Sequence, residues 1–276
     1  MCKVLKVSTS GYYYWLKYPV SLRAKKQKDL LVEIKKIYDD SKRCYGSPRI
    51  TAELKSIGIF SSRPRVARLM RKANIRSVIR KSYRVQTTDS AHTYAVAENL
   101  LNRDFSADRI GQKWVSDLTY IQTDEGWLYL TTVIDLADRK VIGWATSETM
   151  NAGQTSVAAW QMAIKNRTVT NKLIFHSDRG IQYACEEFRN QLKGFPVSQS
   201  MSRKGNCWDN AVAESFFKSI KTEMVYQMCF KTRAQAKLAI FEYIEIWYNK
   251  KRRHSALGYL TPTEFELLLV NTEITA

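Results

Sequence analysis

Apolar side chains recur at helical spacing along the first part of the chain. Between residues 21 and 41 they would line one side of a helix while lysines occupy the other side. Pro48 then opens a short helix that Gly58 ends, and a serine followed by Pro64 marks the start of another. Two short helices across a glycine turn predict a helix-turn-helix. The predicted inward residues of the first helix are Leu22, Leu30, Leu31, Ile34, Ile37 and Tyr38.

The second short helix combines an apolar stripe with a basic surface. Val66, Leu69 and Met70 would face inward at helical spacing. The residues left outside could contact DNA phosphates or base edges. The alternative is a basic face that meets only solvent. The predicted outward residues are Arg63, Arg65, Arg68, Arg71 and Lys72.

From Lys113 onward the pattern changes to the alternation typical of strands. The segments KWVSDLTYIQT, GWLYLTTVIDLAD and RKVIGWATS, with short polar connections, predict an antiparallel meander. Helices and short strands then alternate through NAGQTSVAAWQMAIKN, NKLIFHSD, YACEEFRNQL and PVSQSM to a late helix. The order βββαβαβα is typical of an α/β, ribonuclease-H-like fold, a mixed sheet with helices on both faces. We therefore expect a small all-α region at 1–86, a linker at 87–111 and the ribonuclease-H-like domain with C-terminal helices at 112–276.

Charge divides the chain at nearly the same place. The formal net charge is +18, and residues 1–86 hold 22 Lys and Arg against 5 Asp and Glu, a net charge of +17. This excess favours a polyanionic partner for the first region. Five cysteines without a C-x-x-C pair and three dispersed histidines argue against a structural zinc site or a disulfide framework. No apolar run approaches the length needed to span a bilayer, so the sequence predicts a cytoplasmic protein without a membrane partner.

Three acids could meet in the second region. Asp117 lies on the first strand, Asp178 ends the fourth, and Glu214 lies on the late helix. If the first and fourth strands are parallel neighbours, the two aspartates come together near the strand carboxyl ends. Converging carboxylates repel one another unless cations neutralise them, and such oxygen ligands suit Mg²⁺ or Mn²⁺. The alternative is that each acid is a surface charge or a cap. Four other acids fit that role: Asp135, Asp138, Glu223 and Asp209, the last as a cap of the Glu214 helix.

Four sequence blocks in the right order resemble the DDE transposases of insertion-sequence family three, in particular the second-reading-frame product, which is related to retroviral integrases. The blocks are WVSDLTYI, FHSDRGIQY, SMSRKGNCWDNAVAESFFKSIKTE and YNKKRRHSALGYLTPTEF. The N-terminal segments YGSPRITAEL and RVARLMRKANI also resemble the helix-turn-helix region of that family. The resemblance therefore covers nearly the whole chain. The 35 residues between Asp178 and Glu214 match the DD(35)E pattern of the superfamily.

The resemblance implies a polynucleotidyl transferase with Asp117, Asp178 and Glu214 as catalytic triad and metal ligands. Two Mg²⁺ or Mn²⁺ ions would serve the cleavage of insertion-sequence ends and the joining of 3′-hydroxyls to DNA. Lys221 matches a basic residue that could hold a phosphate of the DNA end. The expected partners are double-stranded DNA (element ends and target), the first-reading-frame product or a fusion with it, and further copies in a synaptic complex. Association with the bacterial nucleoid is the corresponding location.

Several residues keep two interpretations. His176 could support the site or simply pack in the core. Trp208 and Asn210 could shape a DNA channel, or cap and staple the helix. The basic run with Arg252 and Arg253 could contact DNA or complement a helix end.

Two rival functions also stay open. One is a catalytically unused DNA-binding regulator derived from a transposase, and the other is a ribonuclease-H-like nuclease without strand transfer. The complete triad weighs against the first. Lys221 and the basic N-terminal region weigh against the second.

Overall fold

The structure, a computed structural model, describes residues 2–18, 20–78, 94, 96–169, 172–204 and 206–275. The chain divides after Val78 into two compact units. The predicted boundary between residues 86 and 87 lies outside the described residues. The described helices of the first unit are α1 (Thr9–Lys17), α2 (Leu22–Asp40), α3 (Ser47–Ser56) and α4 (Arg63–Lys72).

The apolar stripes of α2, α3 and α4 form the core of the first unit. Gly58 follows α3 with a φ of 81°, a left-handed conformation that glycine adopts easily, and so allows the turn toward α4. Leu22 was predicted to face inward but is 76% exposed, because α2 buries no side chain before Leu30. The buried side chains are Leu30, Ile34, Ile37, Ile50, Leu54, Val66, Leu69 and Met70.

Helix α1 was not predicted from the pattern of apolar and polar residues. It consists of the segment TSGYYYWLK, whose consecutive aromatic residues show no helical stripe, and none of its side chains is buried. The only sequence signal is local: Ser8 caps the helix, and its Oγ accepts from the Gly11 amide at 2.8 Å.

The second unit begins with a meander and continues with alternating helices and strands. This order confirms the predicted arrangement βββαβαβα. A π-helical turn, Gly153–Val157, leads into α5, and another, Glu242–Tyr248, continues α9. Among the described helices, none combines the length and apolar character that crossing a membrane requires. The elements are β1 (Lys113–Thr123), β2 (Gly126–Asp135), β3 (Val141–Ser147), α5 (Ala158–Asn166), β4 (Leu173–Ser177), α6 (Ile181–Ala184), α7 (Glu186–Leu192), β5 (Val197–Met201), α8 (Ala211–Glu223), α9 (Arg233–Phe241) and α10 (Pro262–Thr275).

The five strands form one mixed sheet in the order β3-β2-β1-β4-β5. The first three strands pair antiparallel, whereas β4 is parallel to both β1 and β5. The predicted parallel pairing of the first and fourth strands is therefore confirmed. Gly143 lets α5 lie directly on β3, because a Cβ at that position would be 2.2 Å from the Ala159 carbonyl oxygen. The core beside this contact contains Trp114, Trp160, Phe175, Tyr183 and Phe188.

The predicted linker at 87–111 needs a correction over the part that the structure describes. Leu101 is buried, and the amides of Leu100 and Leu101 donate to Ser200 Oγ at 2.9 and 3.3 Å. The Gly111 amide donates to Asp135 Oδ2 at 2.8 Å. Residues 96–111 are therefore a packed part of the second unit. The sequence concealed this because an irregular segment held by backbone amides has no periodicity.

Candidate active site

Asp117 and Asp178 come together because β1 and β4 lie side by side in parallel. Val115 of β1 pairs with His176 of β4, and two further steps along both strands lead to Asp117 and Asp178. Adjacent strands lie about 4.8 Å apart, and residues at matching positions project to the same face. Both aspartates are half-buried. The predicted meeting of these two carboxylates is therefore a direct result of the strand register.

Backbone amides orient both carboxylates. The Leu118 amide donates to Asp117 Oδ1 at 2.8 Å, and the Gly180 amide donates to Asp178 Oδ1 at 3.0 Å. Gly180 lies so close to this carboxylate that an added Cβ would be 3.0 Å from Asp178 Oδ1. The short segment after β4 thus orients Asp178, and a side chain at position 180 would crowd this carboxylate.

The pKa of Asp117 is raised well above its usual range. Burial is the main cause, and the charge of Asp178 is the next. Glu214 raises this pKa further, whereas the Leu118 amide and Lys221 lower it. Ionising Asp117 beside two other carboxylates is therefore unfavourable unless positive charge is supplied.

Glu214 lies in the first turn of α8, a helix that packs against β1. Its side chain is exposed, although partial desolvation raises its pKa. Within the described ranges, no three His, Cys, Asp or Glu side chains stand close enough to hold one metal ion together. The structure thus brings Asp117 and Asp178 together and leaves Glu214 beside them, near enough for its charge to act on Asp117.

The chemistry of this donor set fits a divalent metal. All three acids offer carboxylate oxygens, which Mg²⁺ and Mn²⁺ prefer as ligands. A cation at Asp117 and Asp178 would also remove the repulsion that raises the pKa of Asp117.

Lys221 is half-buried near the same carboxylates. It follows Glu214 by seven residues, close to two helical turns, so both side chains leave α8 on similar sides. Its ammonium lies 5.1 Å from the centre of the Tyr120 ring, which in turn packs edge-on against Trp127 with 4.8 Å between ring centres. Burial lowers the pKa of Lys221, and the charge of Asp117 opposes that shift.

Two polar residues hold β1 at the site. The sequence analysis had given Tyr183 no role, whereas Asn210 was expected to shape a DNA channel or to cap the helix. The hydroxyl groups of Tyr183 and Ser116 share a hydrogen bond of 2.8 Å. The buried Asn210 donates from Nδ2 to the Ser116 carbonyl oxygen at 3.1 Å. Ser116 directly precedes Asp117, so its two partners hold the strand where the carboxylate emerges. The signal for Tyr183 was present, since it ends the block FHSDRGIQY.

His176 is a buried link between β4 and β5. Its Nδ1 lies 2.8 Å from Ser200 Oγ, and its Nε2 lies 3.2 Å from Ser202 Oγ. Burial lowers the pKa of His176 to about 4, so the imidazole is neutral at physiological pH. These contacts favour the packing interpretation of this residue.

Asp209 was predicted to cap α8, and that prediction is wrong. The helix has Asn210 at its N-cap position, and no side chain makes a capping hydrogen bond there. Asp209 is instead fully buried and accepts hydrogen bonds from the guanidinium groups of Arg203 and Arg103. These hydrogen bonds hold the pKa of Asp209 well below its usual range.

The other three acids set aside in the sequence analysis have structural partners. Asp135 and Asp138 accept hydrogen bonds from local backbone amides, as predicted, and both also form buried ion pairs with Arg167. Glu223, at the end of α8, is paired with Arg252 at 2.7 Å.

The same ion pair corrects the assignment of Arg252 as a DNA contact. The side chain of Arg252 is 3% exposed, donates twice more to Glu223 through Nε, and stacks on Tyr248. A buried guanidinium that is already paired cannot reach a phosphate. Arg253 is also occupied, since it donates to Glu264 Oε2 at 2.9 Å and is only 11% exposed.

The basic residues of α4 are placed as the pattern predicted. Val66, Leu69 and Met70 face the core, and the opposite side of the helix meets solvent. Arg65 is only half-buried rather than fully outside. The exposed residues are Arg63, Arg68, Arg71 and Lys72. Their contact with DNA stays a prediction.

Comparison with known proteins gives matches along nearly the whole chain. Residues 107–207 and 214–267 match models described as integrase core domain, and residues 25–83 match an HTH-like domain. The chain is 41% identical over 268 residues to the transposase InsF for insertion sequence IS3A of Escherichia coli K12, covering 96% of this chain and 92% of that protein. It is also 41% identical over 265 residues to a 31 kDa protein of insertion element IS600 from Shigella sonnei, covering 96% and 97% of the two chains. Among solved structures, the catalytic core domain of BIV integrase aligns with a TM-score of 0.44 at 21% identity, covering 59% of this chain and 99% of that one.

Proposed function

Because the chain belongs to the IS3 family of insertion-sequence transposases, we propose that it cleaves DNA at the ends of its own element and joins the resulting 3′-hydroxyls to target DNA. Such a reaction is a polynucleotidyl transfer, in which a water molecule and then a 3′-hydroxyl attack phosphodiester bonds. The observation that carries the proposal is the parallel register of β1 and β4, in which Asp117 of β1 stands level with Asp178, the residue directly after β4.

Asp117, Asp178 and Glu214 are the proposed metal ligands. The charges of Asp178 and Glu214 both raise the pKa of Asp117, so two divalent cations held by the three carboxylates would favour its ionised form. Bound divalent cations would supply Lewis-acid stabilisation of the charge that develops on the phosphate oxygens. Glu214, which is exposed on the first turn of α8, can complete the ligand set by rotating its side chain toward the aspartates.

The remaining residues would hold the DNA. Lys221 offers a positive charge beside the carboxylates, at about 10 Å from Glu214 along α8, where it can contact a phosphate of the element end. The exposed basic residues of α4 fit a contact with the duplex. We further propose that several copies assemble on two element ends, together with the first-reading-frame product or as a fusion with it.

The experiment that tests this function is the substitution Asp178→Asn, with Asp108→Asn as the matched control. Both changes replace a carboxylate by an amide of the same size, but Asp108 is exposed, and its backbone amide donates to Gln112 Oε1 at 2.9 Å. We expect Asp178→Asn to lose more than nine-tenths of Mg²⁺-dependent cleavage and joining, because losing a metal ligand costs several kcal/mol of transition-state stabilisation. DNA binding in Ca²⁺ should change little in either variant.

The rivals predict different results. A nuclease without strand transfer would cut element ends in the wild-type protein but yield no joined product. A regulator would bind the same DNA and give neither product. Retention of more than a tenth of the joining activity in Asp178→Asn would exclude this aspartate as a ligand.

A further inference from the structure

Trp208 is exposed next to the candidate active site. It lies in the 3₁₀ turn Cys207–Asn210, directly before α8, and 69% of its surface is accessible. The next two residues are the reverse, since Asp209 is fully buried and Asn210 is 4% exposed. The chain thus anchors one side of this turn in the interior while the largest side chain points out.

The anchors are numerous and polar. Asp209 accepts from the Arg203 amide at 3.0 Å, from the Arg203 guanidinium at 2.8 and 2.9 Å, from Arg103 Nε at 2.9 Å and from Asn99 Nδ2 at 2.9 Å. Buried charge-assisted hydrogen bonds of this kind fix geometry strongly. Because Asp209 directly follows Trp208, these hydrogen bonds also fix the backbone from which the exposed indole projects.

The anchors also fix where the indole lies relative to the acids. Asn210 donates to the carbonyl oxygen of Ser116, the residue before Asp117. Glu214 follows Trp208 by six residues and lies in the first turn of the helix that the anchored turn leads into. Trp208 therefore lies two residues before a contact with the strand that carries Asp117 and six residues before Glu214.

The surroundings of Trp208 are basic. The Arg203 side chain is 47% exposed even though it binds Asp209, and Lys204 is exposed. Exposed aromatic rings among cationic side chains are the usual platform for single-stranded or unpaired nucleic acid, since bases stack on the ring and the cations attract the backbone.

We propose that Trp208 stacks on a nucleobase next to the scissile phosphate and so positions the DNA end over Asp117 and Asp178. The proposal rests on the proposed transposase function and adds a positioning residue to it. Unstacking that base from the duplex would be offset by stacking on the indole, which holds the phosphodiester within reach of the carboxylates.

The test combines protein variants with abasic DNA. Trp208→Ala and Trp208→Phe are compared with wild type, and Leu238→Ala serves as control because Leu238 is a 61% exposed apolar residue on α9. Each protein receives a duplex of its own element end, either intact or with one abasic nucleotide at either position flanking the scissile phosphate. Affinity is measured in Ca²⁺, and strand transfer is measured in Mg²⁺.

We expect Trp208→Ala to weaken end binding by about fivefold or more, with Trp208→Phe in between and Leu238→Ala unchanged. At one flanking position, the abasic nucleotide should weaken binding by wild type as much as Trp208→Ala does, and it should have no further effect on that variant. Such non-additivity requires contact between the ring and that base.

Equal abasic losses in wild type and Trp208→Ala at both positions would overturn the stacking proposal, even if the wild-type protein joins ends normally. A change of oligomeric state in Trp208→Ala with intact end affinity per copy would likewise overturn it and assign the indole to a contact between copies. If the coupling appears in Ca²⁺ but wild type joins no ends, stacking stands and the proposed transposase reaction fails.

Discussion

The substitution Lys221→Ala separates a transposase from a simple nuclease. Lys221 is half-buried, and its ammonium lies over the Tyr120 ring and within the field of Asp117. Lys221 lies about 10 Å beyond Glu214 along the helix, so we expect its ammonium to meet the DNA one or two nucleotides from the reacting phosphate. At that distance it can bind a phosphate of the DNA end without taking part in metal binding.

The expected loss of strand transfer follows from the kind of contact that Lys221 would make with the DNA. A charge-assisted hydrogen bond to a phosphate contributes roughly 1.5–3 kcal/mol, which corresponds to about a 10- to 150-fold loss of end-dependent strand transfer. The fold should lose little, because a cation–π contact contributes only about 0.5–1 kcal/mol. Nonspecific nicking of plasmid DNA should persist, because the carboxylates are intact.

The assay measures strand transfer of labelled element ends and plasmid nicking side by side, with Lys165→Ala as control. Lys165 is exposed on α5, outside the helix that carries Glu214, so removing it should change neither activity. Lys221→Arg should retain transfer and also extend it to higher pH. Burial lowers the pKa of Lys221, so its charge is lost as pH rises earlier than for a surface lysine, whereas arginine stays charged.

Two results would refute this reasoning. If both activities fall together in Lys221→Ala, the lysine serves the fold or the metal site, and the thermal midpoint together with Mg²⁺ binding tells these two apart. If neither activity changes, the DNA-end contact is absent and the nuclease alternative gains support.

Three further predictions concern stability and DNA binding. Asp117→Asn should abolish catalysis and raise the thermal midpoint of the metal-free protein at neutral pH. The pKa of Asp117 is raised in the folded state, so the wild-type protein loses stability as pH rises from the unfolded-state pKa toward the folded-state pKa, and the uncharged amide avoids this loss of stability. An unchanged midpoint would contradict the prediction. Arg252→Met should lower the free energy of unfolding by about 3–5 kcal/mol, because it removes the guanidinium that pairs with the buried carboxylate of Glu223. The salt dependence of DNA binding should stay unaltered, and a flatter salt dependence would restore Arg252 as a DNA contact. Neutralising the exposed Arg68 and Arg71 together should instead keep the thermal midpoint and reduce the slope of log affinity against log salt by about 0.9 per lost phosphate contact, and an unaltered slope would leave α4 as a solvated basic face.

The sequence by itself determined the parts of this protein that depend on local pattern. Alternation of apolar and polar residues identified the meander, and helical spacing identified α2 and α4. The 35 residues between Asp178 and Glu214 had meaning only through the resemblance to the DD(35)E pattern. The meeting of Asp117 and Asp178 was also accessible, because parallel pairing of the first and fourth strands brings these two positions level with each other. Asp117 nevertheless lies in the middle of β1, and only Asp178 follows the end of its strand.

Only the tertiary structure decided which charged residues are available. Arg252 lies in a basic run that is typical of a DNA contact, but it is buried against Glu223. Asp209 lies where a helix cap is expected, but it binds Arg103, 106 residues earlier in the chain. A basic or acidic residue looks the same in a sequence whether it is solvated or paired. Its role is fixed by partners that are distant in the chain, and local periodicity carries no information about those partners. The same reason explains why the segment 96–111 packs on the sheet and why Trp208 is exposed although the next two residues, Asp209 and Asn210, are buried.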